Sequence, residues 1–248
     1  MWKPDEKKSS QPRQTGSLEV HLLGVVDFDS ALLLQRHLVY ETSGRNDRQG
    51  TLLLCEHPPI ITVGREGSSA DIPADQHELT SRNLEVRWLN RGGGALMHAP
   101  GQLAVYPILP LDRLECGLEQ YRSRMETAVA DTCRELRVAT QRNAGDPGVH
   151  CRCGQFAFLG AAVKSWVSYH GLFINVSPRM DLIRLVRSAP AGSRIASLAA
   201  QRLRPTSMHS VREAMVRHLV HQFGYDRFHL YTGHPLLKRE RRRVHVHA

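Results

Sequence analysis

The chain has 248 residues, 41% of them hydrophobic and 23% charged, with a formal net charge of +9. That length holds one large domain with a real core, and no apolar run approaches the ~20 residues that span a bilayer. Cys55, Cys116, Cys133, Cys151 and Cys153 are an odd set without a regular framework, which excludes a disulfide scaffold and points to free thiols in the cytoplasm.

Residues 1–16 are polar and aperiodic, with no signal-peptide h-region, and read as a disordered arm. Leu18, Val20 and Leu22 alternate with polar neighbours, which predicts a first strand. Asp27 or Asp29 caps a helix over residues 30–42, and Gly44 stands where a helix ends. Thr51 to Cys55 is a buried-strand run, broken by Glu56-His57-Pro58-Pro59 and resumed over Ile60 to Val63. His57 reads as a turn histidine bonded to backbone rather than a ligand. A short helix near Asp75 to Leu79 sits in an otherwise loop-like stretch, and Leu84 to Leu89 reads as a strand.

The stretch from Arg91 to Pro107 has a glycine triplet, Gly92-Gly93-Gly94, then His98 and Gly101, between that strand and another over Leu103 to Leu109. Glycine lets backbone approach a ligand closely, and loops between strands collect binding residues. Downstream, Leu118, Tyr121, Met125, Ala128, Val129, Thr132 and Leu136 mark the inner face of the strongest helix. Gln141 to Gly148 reads as a polar loop. Val149 to Cys153, Phe156 to Val163, Trp166 to His170 and Leu172 to Val176 read as four short strands joined by turns. Pro178 to Val186 and Ser210 to Phe223 read as helices. Residues 17–228 then form one domain, and 229–248 a basic tail carrying Lys238, Arg239, Arg241, Arg242 and Arg243. No nucleic-acid motif accompanies that cluster, so a nucleic-acid partner is not expected. A positive surface suits an acidic protein partner.

Five segments together resemble the octanoyltransferases of lipoate assembly. They are Leu52 to Pro59 with Thr62 to Arg65; Arg91-Gly92-Gly93 through His98 and Pro100-Gly101-Gln102-Leu103 to Tyr106-Pro107; Pro147-Gly148-Val149; Ala157, Leu159 and Gly160; and Tyr169-His170-Gly171-Leu172 with Asn175-Val176. The resemblance covers roughly residues 18 to 225 in the family's order. It implies a single α/β (α+β) domain of the biotin/lipoate protein ligase-like fold, a mixed sheet flanked by helices. It implies transfer of an octanoyl group from acyl carrier protein to a lysine of lipoyl domains, in 2-oxoacid dehydrogenases or the glycine cleavage H protein. No metal, bound cofactor or membrane is implied. The acyl pocket would be walled by Arg91, Gly92, Gly93, Gly94, Ala95, Leu96, Met97 and His98, by Phe158, Leu159 and Gly160, and by Gly171, Leu172 and Phe173.

The family's catalytic pair is a cysteine that takes the acyl group as a thioester and a lysine that favours its thiolate. A thiolate attacks a thioester far better than a thiol, and a nearby ammonium stabilises it. Here Gln155 stands at the lysine position and Ala191 at the cysteine position. Alanine forms no thioester, and glutamine carries no charge. Three readings follow. The acceptor lysine attacks the carrier thioester directly, with His98 or His170 as base, although each histidine reads more simply as bonded to pocket backbone. Or Cys153, or Cys151, substitutes as nucleophile, with Lys164 as a remote candidate for the missing charge. Or the protein is a catalytically inactive module that binds octanoyl or lipoyl groups or their carrier domains. An ATP-using ligase also needs a lysine at position 155, which counts against it.

Overall fold

The structure, a computed structural model, describes residues 16–143, 146–188, 194–201 and 206–237. The arm over residues 1–15, the Ala191 position and the basic run from Lys238 lie outside the described residues. In chain order the elements are β1 (Ser17–Val25), α1 (Phe28–Ser43), β2 (Gly50–Glu56), β3 (Ile60–Val63), α2 (Gln76–Ser81), β4 (Val86–Trp88), β5 (Ala95–His98), β6 (Gln102–Ile108), α3 (Leu118–Glu135), β7 (Gln141–Asn143), β8 (Asp146–Cys151), β9 (Gly154–Lys164), β10 (Val167–Asn175), α4 (Met180–Ile183), α5 (Met208–Gln222) and β11 (Arg227–Thr232).

The strands build a mixed eight-stranded sheet, ordered β11-β1-β2-β6-β10-β9-β8-β7, and a smaller sheet, β4-β3-β5. Strand β1 runs parallel to both its neighbours, and the remaining pairs of the large sheet are antiparallel. Alternation along each strand sorts side chains to two faces. Leu52, Leu54, Leu103, Val105, Leu172 and Ile174 pack with Tyr121, Met125 and Val129 of α3 and with Val211, Met215 and Leu219 of α5. Leu53, Cys55, Ala104, Tyr106 and Phe173 turn the other way, to Ala31, Leu34 and Leu38 of α1. A further cluster joins Ile61, Val63, Ala95 and Met97 of the small sheet to Leu79, Ile183 and Val186.

Local chemistry explains the helix ends. The Asp27 carboxylate accepts the Ser30 N–H at 2.9 Å, and the Ser207 hydroxyl accepts the Ser210 N–H at 3.0 Å. Gly44 follows α1 with φ −82°, an ordinary conformation that does not require glycine. Leu118 is 58% exposed, contrary to the predicted inner face, because it is the first residue of α3.

Five stretches differ from the sequence reading. The glycine-rich loop is shorter, because Ala95–His98 is a strand paired with β3. The polar stretch over residues 141–148 contains β7 and the start of β8. The third and fourth of the expected strands are one: β10 stays in register with β9 through His170 (φ +54°) and Gly171 (φ +157°). Finally, β11 pairs with β1 from Arg227 to Thr232, so the expected domain boundary at 228/229 falls inside a strand. The helix expected over residues 178–186 shortens to Met180–Ile183.

Candidate active site

Arg91 is 0% exposed, and its side chain turns inward beneath the glycine run. Nη2 donates to the Thr62 carbonyl (3.0 Å) and the Thr62 hydroxyl (2.8 Å), while Nη1 donates to Gly92 O (2.9 Å). The guanidinium carbon lies 5.9 Å from the centre of the Phe173 ring. Burial lowers the Arg91 pKa to about 10, which leaves it a cation at neutral pH. Such close packing needs a bare backbone on the facing strand. A Cβ on Gly160 would sit 3.0 Å from both Nη1 and Gly92 O, and one on Gly64 would sit 2.2 Å from Gly93 O.

The loop amides are partly committed as well. Gly92 N–H donates to Ala161 O at 2.8 Å, and Gly93 N–H donates to the Glu66 carboxylate at 3.2 Å. The run is therefore bolted onto β9 rather than standing free.

From Thr62 the hydrogen bonds continue in one direction. Its hydroxyl accepts from Arg91, so it donates to His98 Nε2 at 2.8 Å. His98 Nδ1–H donates to Gln102 Oε1 at 2.8 Å. Gln102 Nε2 donates to Met97 O (3.1 Å) and to Asn175 Oδ1 (2.9 Å), and Asn175 Nδ2 donates to Ala196 O (3.1 Å). All these side chains are buried. Phe173 and Phe28 flank the His98 ring, at 4.6 and 5.5 Å between centroids.

His98 was expected either as a base or, more simply, as a histidine bonded to pocket backbone. Both its ring nitrogens are engaged, by the side chains of Thr62 and Gln102 rather than by backbone, and burial pushes its pKa well below the usual histidine value. It connects the two side chains as a neutral ring. His57 is similar: Nδ1–H donates to Val26 O at 2.8 Å, as a turn histidine would, and Nε2 accepts from the Tyr106 hydroxyl at 2.7 Å. Burial lowers its pKa to about 4.

His170 is also buried. Its backbone N–H donates to Gln35 Oε1 at 2.7 Å, and Nδ1 has no partner among the described residues. Burial, then the charges of Arg91 and Arg36, lower its pKa to about 3. It pairs across the sheet with Ala161, so Gln155 lies about 20 Å back along β9 at ~3.3 Å per residue. His170 is thus too far from Gln155 to act there.

Gln155 itself is 2% exposed. Its N–H donates to Arg194 O and its C=O accepts from Ala196 N–H, both at 2.7 Å. The chain returning from the Ala191 position is thereby pinned to β9, and the same Ala196 receives Asn175. Cys153 is exposed in the two-residue turn between β8 and β9, and Lys164 is exposed at the far end of β9. Burial raises the pKa of Cys55, Cys116, Cys133 and Cys151, which keeps those thiols protonated.

Of the expected pocket residues, Leu96, Phe158 and Phe173 share the cluster on the α1 face, beside Arg91, His98 and Gly160. Ala95 and Met97 instead point into the small-sheet core, and Leu159 and Leu172 pack toward α3 and α5. Strand alternation forces that split. Thr62, Gln102, Asn175 and Gln35 were not foreseen as site residues. Their signal in the sequence is a polar side chain inside an otherwise apolar run. Among the described residues, no group of three or more His, Cys, Asp or Glu could hold a metal ion, and no helix is long and apolar enough to cross a membrane.

The architecture is that of lipoate ligases. Lipoate-protein ligase A bound with ATP superposes with a TM-score of 0.70 at 17% identity, over 90% of each chain. The bi-partite lipoate protein ligase of Thermoplasma acidophilum gives 0.68 at 16% identity, over 89% of this chain and 88% of that one. At such identities the likeness concerns the fold alone. The family described as lipoyl protein ligase A/B catalytic domain matches residues 27–220. The octanoyltransferase of Geotalea uraniireducens is 37% identical over 182 residues, 72% of this chain and 80% of that protein. That of Syntrophotalea carbinolica is 34% identical over 204 residues, 81% and 92%. The chain therefore belongs to the octanoyltransferase family.

Two measurements test the buried relay. Thr62→Val strands the His98 acceptor and one Arg91 donor at nearly constant shape, and is expected to cost about 2–3 kcal/mol in denaturant unfolding, since an unsatisfied buried group costs ~1–3 kcal/mol and more when charged. A loss under 0.5 kcal/mol would mean the relay is not a stabilising unit. The second concerns pH. His57, His98 and His170 have folded pKa values below the unfolded value of ~6.5, so the unfolded state binds more protons between them. Their neutral-state stability is complete above that value and is lost as pH falls toward 4 and 3. Each contributes a slope of ~1.4 kcal/mol per pH unit. His57→Gln is expected to flatten the loss between pH 6 and 4 by about that amount, and an unchanged slope would contradict the assignment.

Proposed function

We propose that the protein transfers an octanoyl group from octanoyl-acyl carrier protein directly to a lysine of a lipoyl domain, in a 2-oxoacid dehydrogenase or the glycine cleavage H protein, without an acylated enzyme. Family membership supports the acyl transfer. The observation that carries the direct route is the contrast between the two ends of the site. The Arg91 cage, the His98 relay and the apolar wall of Leu96, Phe158 and Phe173 are assembled. At the sequence positions of the family's catalytic pair are Gln155 and Ala191, which offer neither a thiolate nor a charge to stabilise one.

The acyl chain lies against Leu96, Phe158 and Phe173, with the glycine run held over it by Arg91. The amine of the acceptor lysine attacks the thioester carbon. A C–N bond forms, the C–S bond breaks, and the carrier's thiolate leaves with the proton that the amine gives up. The products are an octanoyl-lysine amide and a free carrier thiol. No histidine of the site supplies a base, since His57 and His98 are engaged and His170 lies at the other end of β9. Holding donor and acceptor together is the main catalytic resource, and orientation alone accelerates such reactions by large factors.

The test is to mix the purified protein with octanoyl-acyl carrier protein and an apo lipoyl domain, and to weigh all three by mass spectrometry. The expected result is an octanoylated domain, an unmodified enzyme and unchanged activity in Cys153→Ser. An octanoyl group mapped to Cys153 would show a substitute nucleophile. Retention of the octanoylated carrier without product would show a binding module instead of an enzyme.

A further inference from the structure

Where the family has a lysine, Gln155 presents one atom with nothing to do. Its Nε2 donates to Pro147 O at 3.1 Å and to Ala157 O at 3.3 Å. Two carbonyls can only be served by the NH2 group, which fixes which end of the carboxamide is nitrogen. Its backbone N–H and C=O are taken by Arg194 and Ala196. Only Oε1 remains, buried and without a partner among the described residues.

The surroundings hold this carboxamide in place from three sides. Glu126 on α3 accepts the Gly148 N–H at 3.0 Å and the Arg122 Nε–H at 2.9 Å, which fixes the start of β8 and with it Pro147 O. Gly148 has φ +128°, and a Cβ there would lie 2.6 Å from Gln155 Nε2. Glycine at 148 therefore makes the room the carboxamide occupies. A buried acceptor left without a donor in an otherwise satisfied network is costly. A ligand donor that completes it is correspondingly favoured.

Building on the direct-transfer reading above, we propose that Gln155 Oε1 is the seat of the acceptor lysine's amine, accepting one of its N–H groups while the nitrogen lone pair faces the thioester. The chemistry of the replaced pair is consistent with this. A lysine at 155 serves an anionic thiolate, and it would repel an incoming lysine ammonium. A neutral acceptor oxygen serves a neutral amine and leaves one proton's position defined. Gln155 takes no proton and forms no bond in the step. The amine's N–H bond breaks as the C–N bond forms and the carrier thiolate leaves, with that proton.

Gln155→Lys tests the assignment cleanly, because its ammonium can still donate to Pro147 O and Ala157 O but offers no acceptor. Gln155→Met, similar in length and lacking both groups, is measured beside it in case the lysine variant fails to fold. The readouts are the rate of octanoyl transfer to the apo lipoyl domain, the slow hydrolysis of octanoyl-acyl carrier protein by water, and binding of that carrier. Both variants are expected to lose about 10- to 100-fold in transfer, with hydrolysis reduced less than transfer and carrier binding within about twofold of the parent. A general distortion of the site would lower all three together. Transfer by Gln155→Lys at or above the parental rate would overturn the assignment. A parent protein that transfers nothing would contradict the transfer reading itself, whereas an active parent with undiminished variants contradicts only the role of Gln155.

Discussion

The site depends on one buried cation. Arg91 carries a full charge at 0% exposure, and its hydrogen bonds run to carbonyls and a hydroxyl rather than to a carboxylate. Burying a charge is expensive unless each donor is met. Thr62 and Gly92 accept from Nη1 and Nη2 here, Nε has no partner among the described residues, and the Glu66 charge favours the cation. The consequence is geometric. The glycine run cannot shift without breaking the guanidinium's partners, and Gly64 and Gly160 must stay bare to let it in. Because Thr62 passes the bond on to His98, Gln102 and Asn175, the small sheet, the large sheet and the segment after the Ala191 position are tied into one polar network.

Much of this fold was legible from local patterning. The apolar run Leu52-Leu53-Leu54 and the helical spacing from Tyr121 to Val129 placed β2 and α3, because apolar side chains have to find a core. The motif order around Arg91, Pro147 and Tyr169 gave the family. The sequence was less informative wherever tertiary partners decide. Ala95 to His98 reads as loop beside three glycines, yet β3 supplies the ladder that makes it a strand. Arg227 to Thr232 reads as the start of a tail, but β1 offers it an edge. His98 was open to two readings, a base or a histidine bonded to pocket backbone, and its actual partners, the side chains of Thr62 and Gln102, could not be read from local sequence. No local signal links Thr62 to Gln102 and Asn175, which meet only in the folded chain.

Two substitutions that look like losses become coherent when taken together. A cysteine nucleophile and a cationic lysine work as a pair, and either alone is of little use. With Ala191 and Gln155, the site has neither the thiolate nor the charge that would favour it. What it offers is an apolar wall, a rigid loop and a neutral acceptor oxygen at the reacting end. These suit the binding of two partners at once more than the storage of an acyl group on the enzyme. The high net positive charge of the chain also suits encounter with an acidic protein partner.

The central claim is that donor and acceptor occupy the site together. Initial velocities measured while octanoyl-acyl carrier protein and apo lipoyl domain are varied against each other test it most directly. A ternary complex gives double-reciprocal lines that intersect, and that is the pattern expected here. Parallel lines, the mark of an acyl-enzyme formed before the acceptor binds, would contradict the account.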